Sequence, residues 1–249
     1  LELFSLAGVF YFSTLVFALC ALLMLGVRLP VRGARTSTTF FLRELAAGVR
    51  FVVASPPLRR IFAITIVFNI WGFPFTSMIP VIGSANLGLN PFMVGVLSST
   101  EGLGAFLGAV VIALLARPWM FFSIYLWGTT LYLCMVGYLG VLSFIAGGPV
   151  HSFLASSATL VVLGMASACF ATMQGTLTYL AAAPEYRSRV LGVLTLCIGT
   201  GPIGFFNIGW MAESFGVSAA LMISSVEGLL ALLFLWAFSR DAQPDPVRA

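Results

Sequence analysis

Seven stretches of this chain are apolar almost without interruption, at roughly 3–27, 61–85, 92–116, 119–141, 158–183, 190–211 and 217–238. A helix needs about 20 apolar residues to cross the hydrocarbon core of a bilayer. Backbone groups in lipid have no water to bond, so only helices and closed barrels span it. These stretches are too long and too uniformly apolar for barrel strands, which alternate apolar and polar residues. The chain is therefore predicted to be an all-α membrane protein with seven transmembrane helices. Composition agrees: 60% of its 249 residues are hydrophobic and 8% are charged. That leaves too little charge to dress a water-soluble domain.

Arginine sets the expected orientation. All twelve basic residues are Arg. Seven, Arg28, Arg32, Arg35, Arg43, Arg50, Arg59 and Arg60, lie between the first and second stretches. Arg117 follows the third, Arg187 and Arg189 follow the fifth, and Arg240 and Arg248 follow the seventh. If every stretch crosses, all twelve fall on one side, and basic loops mark the cytoplasm. The basic residues are dispersed through short loops, which argues against nucleic acid as a partner despite a net charge of +4. Cys20, Cys134, Cys169 and Cys197 sit inside apolar runs without metal-ligand spacing, and read as small buried hydrophobes. The first stretch lacks a basic leader and is too long for a signal-peptide core. It reads as a spanning helix whose upstream partners are missing.

Between the first two stretches lies "TTFFLRELAAGVRFVVASPP". Phe41, Leu45, Val49 and Val52 or Val53 recur at helical spacing, with Arg43, Glu44 and Arg50 between them. This predicts an amphipathic helix at the membrane surface, stopped by Pro56 and Pro57. It either spaces two bundles or senses lipid.

One phrase is written twice. "GVLSSTEGLG" begins at Gly95 and "GVLTLCIGTG" at Gly192. The first copy runs inward and the second outward. They sit in the middle helices of two successive three-span units, the pattern of an inverted three-plus-three repeat in secondary transporters. Gly95, Gly102, Gly104 and Gly108, and Gly192, Gly199, Gly201, Gly204 and Gly209, remove side chains from helix faces and allow close packing or sliding. Gly201-Pro202 also removes a backbone donor and predicts a kink.

Several stretches resemble the major facilitator superfamily, in its enterobactin-exporter-like, drug-efflux-related branch. "FLRELAAGVRFVVASPPLRRIF" resembles the cytoplasmic connection into the second half of such exporters. "PEYRSRVLGV" resembles their Pro-x-x-Arg-Gly-Arg-Val turn, with Ser188 in the glycine position. "GTGPIGFFNIGWMAESFG" resembles the Gly-Pro-x-Gly helix that follows. The resemblance implies that residues 1–27 are the last helix of an N-terminal bundle, 28–60 a cytoplasmic linker and 61–240 a six-helix C-terminal bundle. Residues 241–249 would be a cytoplasmic tail. Arg117, Arg187 and Arg189 would mark cytoplasmic turns. The antiporter motif of the family's fifth span has no counterpart here, and Gly201-Pro202 matches it only in part.

Glu101 lies about ten residues into its stretch, near the midplane. An ionised acid there costs on the order of 2.5–3.5 kcal/mol. A group that is neutral when occluded and ionised when opened to water is what proton coupling needs. The other reading is a permanently protonated acid bonded to a neighbouring helix. Glu227 is a second midspan acid and the weaker candidate, on a span expected to be peripheral. Glu213 and His151 read as wet or surface groups. Asn69, Trp71 and Thr76, with Gln174, Thr178 and Tyr179, are polar or aromatic groups on two spans that line the cavity in the resembled fold. They either contact an amphiphilic substrate or join helices.

No nucleotide loop, catalytic triad or metal cluster is legible, so neither an enzyme nor a primary pump is expected, and no cofactor. The expected function is proton-coupled export of a small siderophore- or drug-like amphiphile across a bacterial plasma membrane. The bilayer and the missing N-terminal half would be its partners. The alternatives are a facilitator or importer of the same superfamily, or a non-transporting truncated protein.

Overall fold

A computed structural model describes residues 6–26, 38–145 and 149–238. Every regular element among them is helical. The chain divides into two units, Leu1–Leu42 and Arg43–Ala249. The first holds α1 (Leu6–Leu25) and the first turn of α2 (Thr38–Ala54). The second holds the rest of α2 and six further helices: α3 (Pro56–Asn86), α4 (Pro91–Leu115), α5 (Pro118–Ile145), α6 (Pro149–Ala181), α7 (Arg187–Phe215) and α8 (Val217–Phe238).

The six helices α3 to α8 are long and apolar enough to cross a membrane. They correspond to six of the seven expected spans. α1, the remaining one, is 20 residues of apolar helix, and its segment Phe10–Leu25 is shorter than the other six. α6 starts at Pro149, earlier than the expected 158, and takes up most of the predicted loop before it. The predicted tail 241–249 and most of the linker before α2 lie outside the described residues.

Local chemistry explains the helix ends. The Asn90 side chain accepts a 2.8 Å hydrogen bond from the Met93 amide, and Pro91 occupies the first helical position of α4. Gly216, at φ +84°, is the single residue between α7 and α8. Only glycine adopts that backbone without strain. Hydroxyls within the spans turn back on their own helices: Ser98, Ser99, Thr130 and Ser143 each donate to the carbonyl four residues earlier. Such bonds satisfy a donor where no water is present.

α3 is the most buried of the six spans and the least regular. It begins as α-helix over Pro56–Val67. It widens to a π-helix at Phe68–Gly72, tightens to a 3-10 helix at Phe73–Met78, and widens again at Ile82–Asn86. Pro74 and Pro80 carry no amide hydrogen, so an unbroken α ladder is impossible across them. α3 packs against α5, α6, α7 and α8, α4 packs against α6, and α5 packs against both α6 and α8. The core of this unit is an aromatic cluster. Phe68 stacks on Phe170 with centroids 3.6 Å apart, Tyr125 stacks on the same ring at 5.4 Å, and Tyr132 meets both Phe68 and Phe75.

α7 is interrupted at Gly199 and Thr200, just before Pro202. The expected break is thus present two to three residues upstream of the proline, whose missing amide hydrogen cannot bond the Ile198 carbonyl. α2 forms as expected, but its buried face is rotated. Gly48 and Val52 are buried, while Val49 and Val53 are exposed. Gly48 causes the rotation: a Cβ there would meet the Arg189 carbonyl at 2.9 Å, so its bare face is the one that docks.

Candidate functional site

The glycines fall into two groups. Gly104 faces the Val161 backbone of α6, Gly108 the backbone of Met165, and Gly204 of α7 the carbonyl of Ile70 in α3. A side chain at any of these would collide with main chain. Gly164, which the sequence reading did not single out, faces the carbonyl of Glu101 and the amide of Ala105. Gly95, Gly102, Gly192 and Gly209 face open space, as a Cβ added there would meet nothing within 4 Å. Gly199 borders only its own preceding turn, a Cβ at Gly201 would come no nearer than 4.0 Å to the Phe205 ring, and Pro202 is exposed. The repeated phrase therefore carries both contact and free positions.

Glu101 sits on α4 at the closest approach to α6, half-buried. Among the described residues its carboxylate has no hydrogen-bond or ion-pair partner. Glu227 on α8 is exposed, and its carboxylate accepts a 2.9 Å hydrogen bond from the Trp71 indole. Ser224 donates to the Trp71 carbonyl at 2.9 Å. The structure thus joins a candidate coupling acid to a candidate substrate residue, tying α8 to the π segment of α3. Glu101 and Glu227 differ in kind: one is held, the other unengaged.

Asn69, Gln174 and Thr178 are buried together with two residues that sequence reasoning missed, Thr65 and Tyr125. The Thr65 and Tyr125 hydroxyls lie 2.9 Å apart, and Tyr125 also donates to the Ile61 carbonyl at 3.0 Å. Gln174 donates to the Thr65 hydroxyl at 3.1 Å, and Asn69 to the Thr65 carbonyl at 2.9 Å. Thr178 donates to the Gln174 carbonyl. This polar cluster binds α3, α5 and α6 with its members bonded to one another. Thr76 is half-buried and bonds its own helix through the Phe73 carbonyl. A signal for Tyr125 was present in the sequence. It stands seven residues before Tyr132, two helical turns, so both share one face of α5, and both are fully buried.

The arginine-bearing turn between α6 and α7 forms a second cluster. Arg189 Nε donates to Glu44 Oε2 of α2. Phe51 of α2 stacks on Tyr186 with centroids 4.5 Å apart and planes within 8°. The Arg189 guanidinium lies 5.2 Å above the same tyrosine. Arg187 donates to the Tyr179 hydroxyl at 3.0 Å and sits 4.0 Å over its ring. Tyr179 is therefore engaged by the turn at the end of α6. Arg117, in the earlier connection between α4 and α5, lies over Trp119 at 5.3 Å.

Among the described residues no group of three His, Cys, Asp or Glu side chains is placed to hold a metal ion. The arrangement offers close-packing surfaces, one unengaged acid within a span and a clasped turn. A family described as transmembrane secretion effector, of the major facilitator type, matches residues 1–244. No curated protein and no solved structure matches the chain.

Proposed function

Because the chain belongs to the transmembrane secretion effector family, a major facilitator group of multi-pass membrane transporters, we propose that it exports a small amphiphilic molecule in exchange for protons. In this reading Glu101 is the coupling group. The observation that carries it is the state of that carboxylate: within a span, half-buried, and without a bonding partner among the described residues. A structural acid in a membrane helix is paired, because an unpaired one is costly. An acid that must gain and lose a proton in each cycle has to be free of a permanent partner. Glu227, bonded to Trp71, fits the structural part.

The inverted-repeat reading has support in the packing pairs. Exchanging the first three spans with the last three turns α4–α6 into α7–α3 and α5–α6 into α8–α3, and all four contacts are present. Both middle helices also press a glycine against main chain of the first helix of the other unit: Gly104 on Val161 and Gly204 on Ile70. Such a pair would rock against a second bundle, which residues 1–27 would represent in part. The arginine-bearing loops would face the cytoplasm of a bacterium.

The test is Glu101→Gln in the complete transporter, reconstituted in proteoliposomes with a panel of fluorescent amphiphiles. We expect pH-gradient-driven movement to be lost while protein abundance and gradient-independent exchange persist. An unchanged rate and pH profile would assign Glu101 a structural role and remove the proton from the mechanism.

A further inference from the structure

Tyr132 is fully buried in α5, and its hydroxyl has no hydrogen-bond partner among the described residues. Its ring is packed by Phe68 at 4.6 Å and Phe75 at 5.6 Å, and the Gly72 backbone lies against its edge. Phenylalanine would fill this apolar site equally well. A buried hydroxyl left unpaired costs about 1–3 kcal/mol, so a tyrosine here needs a reason. The Glu101 carboxylate is a complementary group, an acceptor in need of a donor. Gly128 of α5 abuts Cys169, while Glu101 abuts Gly164 of the same α6. Tyr132 lies one turn beyond Gly128 in the direction that runs back along α6, which brings it to the depth of Glu101.

Other titratable groups are poorly placed to serve Glu101. On α6, which packs against it, Cys169 faces Gly128, Tyr179 is bound to Arg187, and His151 stands in the first turn of the helix. The outer part of α3 that touches α4, Ile79–Asn86, carries no titratable residue. On α5, Tyr125 is committed to Ile61 and Thr65.

We propose that Tyr132 is a positioning residue for Glu101: its hydroxyl donates a hydrogen bond to the ionised carboxylate, directly or through one water, at the step when the proton has left. This rests on the reading of Glu101 as the coupling group. Tyr132 keeps its own proton throughout. The proton released by the Glu101 carboxylic acid goes to water in the open pathway, and the tyrosine only stabilises the anion left behind. In the state described here no hydrogen bond joins the pair.

The experiment needs no substrate. The protein in lipid nanodiscs is titrated by infrared spectroscopy, and the carboxylic C=O band of Glu101 is identified by its loss in Glu101→Gln. Tyr132→Phe removes the donor to the anion, so the midpoint of that band should move upward by about one pH unit. Site-specific 3,5-difluorotyrosine at position 132, a stronger donor, should move it downward. A titrating Glu101 band that neither substitution moves overturns the role of Tyr132 and leaves the coupling reading standing. A Glu101 that does not titrate in any pH range where the protein is folded overturns both.

Discussion

Arg189 and Glu44 stand 145 residues apart and form an ion pair that fixes α2 to the turn between α6 and α7. Each side chain is about a third exposed, 31% and 30%. Solvent screening therefore limits what the pair contributes to stability, to about 1 kcal/mol or less. Its role is positional. With the Phe51–Tyr186 stack and the bare face of Gly48, it determines which side of α2 docks.

Reversing one charge, Glu44→Arg, should place two guanidiniums together and release α2. The expected readout is faster trypsin cleavage at Arg50 with little change in the thermal midpoint of the bundle. The exchange Glu44→Arg with Arg189→Glu should restore protection. Equal cleavage in all three proteins would show that aromatic stacking alone holds the helix.

The α4–α6 crossing makes a sharper prediction. A Cβ at Gly164 meets the Glu101 carbonyl and the Ala105 amide, which are main chain and cannot turn aside. Gly164→Ala should therefore destabilise by about 1–3 kcal/mol, the usual cost of overpacking. Gly102→Ala, on the same α4 but facing open space, should be neutral or slightly stabilising through helix propensity. Denaturant titration of the two variants in detergent checks the contrast. Equal stability would place the crossing elsewhere.

The polar cluster should respond unequally to its members. Tyr125→Phe removes one donor and leaves Thr65 bonded to Ile61 and Gln174. A loss of about 0.6 kcal/mol is expected, the average for such bonds in membranes. Thr65→Val preserves shape but takes partners from both Tyr125 and Gln174, so its loss should be about twice as large. Unfolding measured in mixed micelles would rank them, and the reverse order would overturn this account of the cluster.

The spans were legible because length and hydropathy are properties of local sequence, and a bilayer leaves a long apolar run few alternatives. The amphipathic helix α2 was legible for the same reason, but its rotation was not. Val49 and Gly48 are consecutive and point about 100° apart on the wheel, and only the Arg189 backbone decides between them. Glycine spacing predicted that α4 and α7 would pack closely without telling which glycines face a partner. Gly104 and Gly102 read alike in sequence and differ completely in surroundings. The partnership of Trp71 with Glu227 joins residues 156 apart, and no local pattern encodes it. The irregular course of α3 was not read from Pro74 and Pro80, and the π segment before them arises where α7 and α8 press on that part of the chain.

That irregular span has a consequence for torsion. The π segment Phe68–Gly72 is wound more loosely than an α-helix, and the 3-10 segment Phe73–Met78, which follows directly, is wound more tightly. Their effects on helical phase oppose each other, so the faces of α3 before and after them stay nearly in step. Were only one segment to return to α winding by a single residue, everything beyond it would turn by about 100°. α3 is thus a shaft with two matched and opposite couplings at its midpoint. It keeps its two ends in register even though Pro74 denies the turn between them a continuous α ladder.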